Sequence, residues 1–317
     1  MTAPRSRPHV LYVMGSGRSG TTLLGSILGE YPDTFAAGEI SYLWERGILS
    51  PRGCGCGRTP MECAVWGDII TRVAGNRDPR DLATEQLAYR RRIRLRHTSR
   101  LLGGSSLTAP VRRDRGGAES EVEAYANVLL DVYHAISDVT GARVIVDTSK
   151  HPADAAVIGR MTGVDHSIVH VVRDSRGVAN SWRRRKQGIA RRKTVLAALD
   201  WQATNWAADG VRRRHPTSSM LIRYEDLMEA PRQHVREIAD LAGVSTKIDP
   251  FVDASTVVLR PNHTISGNPG RFEAGPTVIR LDDRWQQEMR PGLKRLVTML
   301  TATGLRKYGY ALRSNAA

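Results

Sequence analysis

The feature that most constrains this chain is a glycine-rich turn between a short apolar run and an amphipathic segment. Val10–Met14 is apolar throughout and has the character of a buried strand. The turn follows as GSGRSGTT at 15–22, and from 21 to 31 the apolar residues recur at helical spacing. In a strand–loop–helix unit the loop N–H groups and the helix N-terminus converge on an anion, so we expect a phosphate cradle. The alternative is a tight turn whose glycines only allow close packing.

The spacing of Gly15 and Gly20 is that of the nucleoside-triphosphate loop GxxxxGK[ST]. Thr21 stands where that motif requires the lysine that reaches the β- and γ-phosphates. The missing lysine argues against a kinase or ATPase, which we keep as the alternative function. Arg18, inside the loop, offers a cation from another direction.

The rest of the chain alternates short apolar runs with amphipathic segments. We predict strands at 34–37, 143–147, 167–172 and 219–222, and helices at 80–103, 119–140, 152–162, from 175 with an interruption near Gly188, and at 194–215, 231–242 and 286–303. Residues 50–63 are rich in Gly, Pro and Cys and are expected to form a loop. Such alternation predicts an α/β fold, a mostly parallel sheet with helices on both faces, as a single domain over 1–317.

The formal net charge is +15, and two segments hold nearly all of it. Residues 76–117 and 183–193 each carry a net +7. Such concentration indicates an anionic partner nearby, or else a solvated arginine-rich face. We interpret 76–117 as a helical insertion or substrate lid. A nucleic-acid or anionic-surface binder is a second alternative, but the only aromatic residue in 76–117 is Tyr89, so stacking on bases is poor and we expect no nucleic-acid partner.

Other classes are excluded by composition. No apolar run approaches the ~20 residues of a membrane-spanning helix, so we expect no transmembrane segment. The first residues lack the apolar core of a signal peptide, and a cytoplasmic location is expected. Three cysteines, Cys54, Cys56 and Cys63, are too few for a disulfide scaffold. They suit zinc with an outside histidine, although the sequence makes no fourth ligand evident, or a redox pair, or reduced structural thiols.

A second candidate anion site follows the predicted strand at 167–172. Arg173 lies at its end, and Ser181 comes eight residues later, on about the same helical face. An arginine and a hydroxyl on one surface suit an anion. A core serine with a capping arginine is the alternative.

These motifs, with RYEDL at 223–227 and HTISGNPGRF at 263–272, resemble the sulfotransferase superfamily, which uses 3′-phosphoadenosine 5′-phosphosulfate (PAPS). The resemblance extends over about residues 9–310 and is weakest in 76–117. It implies that the first loop holds the 5′-phosphosulfate through Gly17, Arg18, Ser19, Gly20, Thr21 and Thr22. It further implies that Arg173 and Ser181 hold the 3′-phosphate.

Arg18 replaces the loop lysine of cytosolic small-molecule sulfotransferases, which makes the chain more similar to the carbohydrate and tyrosylprotein type. That resemblance implies Glu39 as the catalytic base, with Arg18 and Lys150 neutralising charge on the leaving group. It also implies PAPS contacts at Arg185, Tyr224 and Arg271. From the residues alone, Glu39 could be a surface carboxylate or a partner of Arg18, and Lys150 a solvated residue before a helix.

The resulting interpretation is a sulfotransferase that moves the sulfuryl group of PAPS to a hydroxyl of a small-molecule, lipid or carbohydrate acceptor. The transferred group carries less charge than a phosphoryl group, and no pair of acids surrounds Asp147, so we expect no metal requirement. The acceptor class would be set by 76–117.

Overall fold

The computed structural model describes residues 7–104, 107, 117–184 and 192–312. Its centre is a five-stranded sheet in which every neighbouring pair is parallel. The strand order is β2-β3-β1-β4-β5. The strands are β1 His9–Met14, β2 Thr34–Gly38, β3 Val144–Lys150, β4 Asp165–Val172 and β5 Ser219–Arg223.

Twelve α-helices surround the sheet in the described part of the chain: α1 Thr21–Leu28, α2 Ala64–Ala74, α3 Pro79–Arg90, α4 Thr98–Leu102, α5 Ala118–Thr140, α6 Pro152–Ile158, α7 Ser175–Arg183, α8 Thr194–Arg214, α9 Tyr224–Glu229, α10 Pro231–Leu241, α11 Trp285–Glu288 and α12 Pro291–Lys307. Shorter elements are 3₁₀ turns at Ile40–Tyr42, Leu95–His97 and Pro269–Phe272, and a π-helix at Leu43–Leu49. Strands β6 Thr256–Leu259 and β7 Gly275–Val278 form a separate antiparallel hairpin. Within the described ranges, no helix is both apolar enough and long enough to span a bilayer.

The alternation of side chains along β1 divides the core into two layers. Val10, Tyr12 and Met14 pack with α2, α5 and α6, whereas Leu11 and Val13 pack with α1 and α10. Successive residues of a strand point to opposite faces, so the wholly apolar run that we read from the sequence is what a strand buried on both faces requires. The predicted α/β fold with helices on both faces is confirmed.

The strand order places the glycine loop between two other strand ends. Because β1 lies between β3 and β4, the loop that follows Met14 is flanked by Lys150 at the end of β3 and by Arg173 just after β4. In open parallel sheets, ligands bind beyond the carboxyl ends of the strands, where the connections diverge to either side.

Two predicted helices differ in the structure. The helix expected at 286–303 is divided into α11 and α12, because Pro291 has no N–H to continue a helix and begins a new one. The segment 80–103 is helical to Arg90 and then again in short elements from residue 95. The chain turns between them because Arg90 pairs with Asp154 (2.9 Å) and Ile93 is buried. Helix α7 ends at Arg183, and the predicted interruption near Gly188 lies outside the described residues.

Gly15 allows the loop to lie directly against β4. Its φ is +143°, and a Cβ there would lie 2.2 Å from the carbonyl oxygen of Val171.

We therefore expect Gly15→Ala to lower the free energy of unfolding by on the order of 1–3 kcal/mol, measured by urea denaturation. Gly292→Ala is the matched control, because its Cβ meets open space in α12, and it should be neutral or stabilising by at most about 1 kcal/mol. Equal effects of the two changes would contradict this account of the loop.

Candidate functional site

The loop after β1 has the geometry of an anion cradle. Its first N–H, from Gly15, donates to the carbonyl of Lys150 (3.0 Å), which ties the loop to β3. Arg18 and Gly20 have left-handed φ values of 77° and 82°, so the main chain curls before α1. Within the part of the chain that the structure describes, no side chain caps α1, and the buried hydroxyl of Ser19 has no hydrogen-bond partner. Buried polar groups are normally satisfied, so these free donors fit an incoming anion.

Arg18 connects the loop to two distant segments. Its Nε donates to Ser181 Oγ on α7 (2.9 Å), and its terminal nitrogen donates to the side-chain oxygen of Asn268. Burial, together with the charges of Arg173 and Arg184, lowers the pKa of Arg18. Like charges held together at a buried point are a feature of sites that bind an anion.

Arg173 lies on the other side of the loop. Its guanidinium donates to the main-chain carbonyl of Arg18 (2.9 Å), stacks on the ring of Tyr224 (4.2 Å from the centroid) and pairs with Asp282 (3.4 Å). Burial opposes ionisation of Asp282, but Arg284 and Arg173 together lower its pKa to about 2. Asp282 is therefore ionised and serves as the counterion of Arg173.

Glu39, one residue beyond β2, is buried next to the end of β3. Its carboxylate accepts hydrogen bonds from Lys150 Nζ, from Arg46 (3.2 Å) and from Ser266 Oγ (2.9 Å). Burial alone would raise the pKa of Glu39, but the charge and hydrogen bond of Lys150, with smaller effects of Ser266 and Arg46, hold it below its usual value. Glu39 is thus an ionised, buried carboxylate, rather than the surface carboxylate or the Arg18 partner that the sequence left open.

Lys150 is held in a strained backbone conformation, with φ at +76°. Left-handed φ values at non-glycine residues are uncommon and concentrate at functional sites. In this conformation the ammonium donates to Glu39 while the carbonyl accepts the N–H of Gly15. One residue therefore connects the carboxylate to the glycine loop.

Segment 262–272 lies beside the end of β2 and forms one wall of the cavity. Ile265 exchanges main-chain hydrogen bonds with Ala37 and Glu39 (2.9 and 2.7 Å), which extends the edge of the sheet by one bridge. Arg271 is buried and donates to the carbonyls of Gly267 (3.1 Å) and Gly53 (2.9 Å). In this structure Arg271 therefore holds the loop together.

The structure brings most of the predicted residues to one edge of the sheet. A cavity of about 1140 Å³ there is lined by Gly17, Arg18, Glu39, Lys150 and Arg271, among others. Ser19, Gly20, Thr21 and Thr22 belong to the same loop and helix start, Ser181 contacts Arg18, and Tyr224 contacts Arg173. Arg185 lies outside the described residues.

Sequence reasoning missed four members of the site: Arg46, Ser266, Asn268 and Asp282. Ser266 and Asn268 lie inside the quoted motif HTISGNPGRF, so their signal was present but was assigned only to Arg271. Arg46 is on the π-helix, where its guanidinium stacks on Tyr42 (3.6 Å). Nothing in the local sequence distinguishes it from a solvated arginine.

Two further residues lie in or just after β3. Asp147 accepts hydrogen bonds from Tyr133 Oη (2.8 Å) and from Ser149 N (2.9 Å), so it stabilises the end of β3. Burial raises its pKa to about 6, despite those hydrogen bonds. His151 lines the cavity beside Tyr42, with Nε2 3.1 Å from the tyrosine oxygen.

Comparison with known proteins identifies the family. A family model described as the sulfotransferase domain matches residues 8–258. No curated protein matches the chain. The sulfotransferase domain from the Synechococcus PCC 7002 olefin synthase is 17% identical, with 99% of both chains covered and a TM-score of 0.51. The sulfotransferase domain from the curacin biosynthetic pathway is 15% identical, covering 97% of this chain and 100% of that one, with a TM-score of 0.52.

The two structural likenesses show a shared fold, and the family match extends over most of the chain, from β1 into the hairpin strand β6. The glycine loop, Glu39, Lys150 and Arg173 all lie inside the matched range. The protein belongs to the sulfotransferase family.

Proposed function

We propose that this sulfotransferase uses PAPS as its donor and transfers the sulfuryl group to a hydroxyl of a small-molecule, lipid or carbohydrate acceptor. The observation that carries the proposal is the position of the glycine loop between two pairs of side chains, an arginine with a serine on one side and a carboxylate with a lysine on the other. On the β4 side lie Arg173 and Ser181, and on the β3 side lie Glu39 and Lys150.

The loop and α1 suit the 5′-phosphosulfate end of the donor. The unsatisfied hydroxyl of Ser19 and the free N–H groups at the start of α1 supply hydrogen bonds, and the helix dipole adds partial positive charge. Thr21 and Thr22 add two hydroxyls at the first turn. On the other side, Arg173 and Ser181 would hold the 3′-phosphate, with Tyr224 supporting the guanidinium.

Glu39 would accept the proton of the acceptor hydroxyl as the hydroxyl oxygen bonds to sulfur. The bond from sulfur to the donor phosphate breaks in line, and the electron pair remains on the nucleotide. Arg18 and Lys150 would neutralise the charge that develops there. In this account Lys150 exchanges its contact with Glu39 for one with the departing oxygen. The loose transition state expected for such a transfer is helped mainly by positioning and charge.

The first prediction from the proposed function concerns the nucleotide. Adenosine 3′,5′-bisphosphate should bind more tightly than AMP, and Arg173→Ala should weaken the bisphosphate by on the order of 2–4 kcal/mol, because a buried charge partner is lost. AMP affinity should change little. Calorimetry on both ligands measures this, with Arg260→Ala, an exposed arginine paired with Glu30, as the control. Equal affinity for AMP and the bisphosphate would remove the proposed role of Arg173.

The second prediction concerns Glu39. Glu39→Gln should lower the single-turnover rate by roughly 10²–10⁴-fold, the usual effect of losing a positioned base, with nucleotide affinity nearly unchanged. Glu45→Gln is the control, since Glu45 is an exposed carboxylate lining the same cavity. A near-normal rate with weakened nucleotide binding would identify Glu39 as a structural partner of Lys150 and leave His151 as the next candidate base.

The same residue sets the acid side of the pH profile. Glu39 must be ionised to accept a proton, and its pKa is held below the usual 4.5. Activity should therefore fall only as the pH drops through a value below 4.5, where the carboxylate becomes protonated. An acid limb near neutral pH that disappears in Glu39→Gln would contradict the depressed pKa.

The acceptor side of the cavity favours a negatively charged molecule with an apolar part. Residues of the helical insertion form this wall, among them Leu87, Ile93, Arg94 and Leu95, so we propose that the insertion selects the acceptor. Arg94 and Arg52 line the cavity and have no ion-pair partner among the described residues. These two cations are available to an acidic group of the acceptor.

A further prediction tests this wall. Once a mass-spectrometric screen with PAPS has identified acceptors, Arg94→Ala should raise KM for anionic acceptors about 2–5-fold, as expected for one exposed ion pair, and leave neutral acceptors unchanged. Arg91→Ala, a neighbouring exposed arginine that does not line the cavity, is the control. An equal effect on charged and neutral acceptors would contradict an electrostatic role.

A further inference from the structure

Three cysteines and one histidine meet away from the catalytic cavity. The sulfurs of Cys54, Cys56 and Cys63 and one ring nitrogen of His263 all lie within 4.8 Å of one another. All three cysteines are free, and Cys54 and Cys63 are buried. None of the four residues lines the cavity that holds Glu39 and Arg18. The fourth ligand that the sequence did not make evident is thus supplied from 200 residues away.

The distances fit one small tetrahedral ion. Cys54 Sγ lies 3.8 Å from Cys63 Sγ, and His263 Nδ1 lies 3.9 Å from the first sulfur and 3.2 Å from the second. Ordinary zinc–sulfur and zinc–nitrogen bonds in tetrahedral geometry give about 3.8 Å between sulfurs and about 3.6 Å between sulfur and nitrogen. A disulfide would need the two sulfurs at about 2.05 Å.

Local backbone contacts produce this arrangement. Cys54 N donates to Arg58 O (2.7 Å) and Gly57 N to Cys54 O (2.8 Å), so the chain turns tightly around Cys56. Gly55 N donates to Thr264 O (3.0 Å), which aligns the turn with the segment that carries His263. A Cβ on Gly55 would lie 2.1 Å from the side chain of Asn262, so only glycine permits this approach.

We propose that Cys54, Cys56, Cys63 and His263 bind one structural zinc ion. Thiolate and imidazole ligands in a tetrahedral set select zinc among the common divalent ions. Four protein ligands leave no open position for water, so the ion would not take part in sulfuryl transfer.

The position of the cluster gives the ion a structural task. Two residues after His263, Ile265 pairs with the end of β2, and the next residue, Ser266, donates to Glu39. Further along, Arg271 donates to Gly53, immediately before Cys54. Zinc would therefore connect segment 262–272 to the cysteine turn and stabilise the wall of the catalytic cavity that this segment forms.

The test is metal content of the full-length protein purified under reducing conditions with zinc in the medium. We expect about one zinc per chain by elemental analysis and native mass spectrometry. Cys56→Ser and His263→Asn should each lose most of it, whereas His234→Asn, the same change at a histidine paired with Glu237, should retain it. Cys56 is exposed, so its variant is expected to fold, which circular dichroism checks.

Cobalt and hydrogen exchange give independent readouts. Metal-free protein refilled with Co²⁺ should show the visible absorption of tetrahedral cobalt–thiolate, absent from Cys56→Ser. Removal of zinc should speed amide exchange at Ile265 and its neighbours. Reduced protein without zinc, an internal disulfide in its place, or equal zinc in all variants would overturn the proposal. These outcomes do not depend on the donor or acceptor, so failure here leaves the proposed function intact.

Discussion

The site depends on the close packing of the main chain at Gly15, where the chain leaves β1 between the ends of β3 and β4. Gly15 donates its N–H to the last residue of β3 and has no side chain to strike the carbonyl of β4. Both contacts are made of backbone, which leaves little freedom to shift. As a result, the position of the loop relative to the ends of β3 and β4 is fixed, and the side chains at those ends face the loop from either side.

That arrangement concentrates positive charge, and the protein neutralises it with its own carboxylates. Arg173 is paired with Asp282, and Lys150 and Arg46 are paired with Glu39, whereas Arg18 donates to the neutral side chains of Ser181 and Asn268. Burying several unpaired cations would be costly, because the charged forms lose hydration. The internal counterions reduce that cost and keep the cations at their strand ends.

The fold was predictable because its signals are local. Wholly apolar runs such as Val10–Met14 mark strands buried on both faces, and the alternation of runs and amphipathic segments indicates a parallel sheet. The hairpin β6–β7 and helix α2 escaped prediction: each hairpin strand is only four residues long, and α2 directly follows the Gly- and Cys-rich residues 50–63, which are typical of a loop. The breaks at Arg90 and Pro291 depended on a distant ion pair in one case and on a proline overlooked within a helical pattern in the other.

The site was predictable to the extent that its residues follow strands directly. Glu39, Lys150 and Arg173 come at or just after strand ends, and parallel strands bring such positions to one edge. Arg46 reaches Ser266, Asp282 reaches Arg173 and His263 reaches Cys63 through tertiary packing across long separations, which spacing along the chain does not encode. Three of the four ligands of the proposed zinc site were visible for the same reason: the cysteines are neighbours in sequence and the histidine is not.

The ion pair between Arg173 and Asp282 has a kinetic consequence for the proposed reaction. A nucleotide phosphate that binds Arg173 must displace the carboxylate, which remains close by because it is also held by Arg284. After transfer, Asp282 can pair with the guanidinium of Arg173 again, which favours dissociation of the bisphosphate product. Asp282 would therefore weaken binding of the donor and also speed release of the by-product. A change that tightens donor binding at this carboxylate would thus slow turnover.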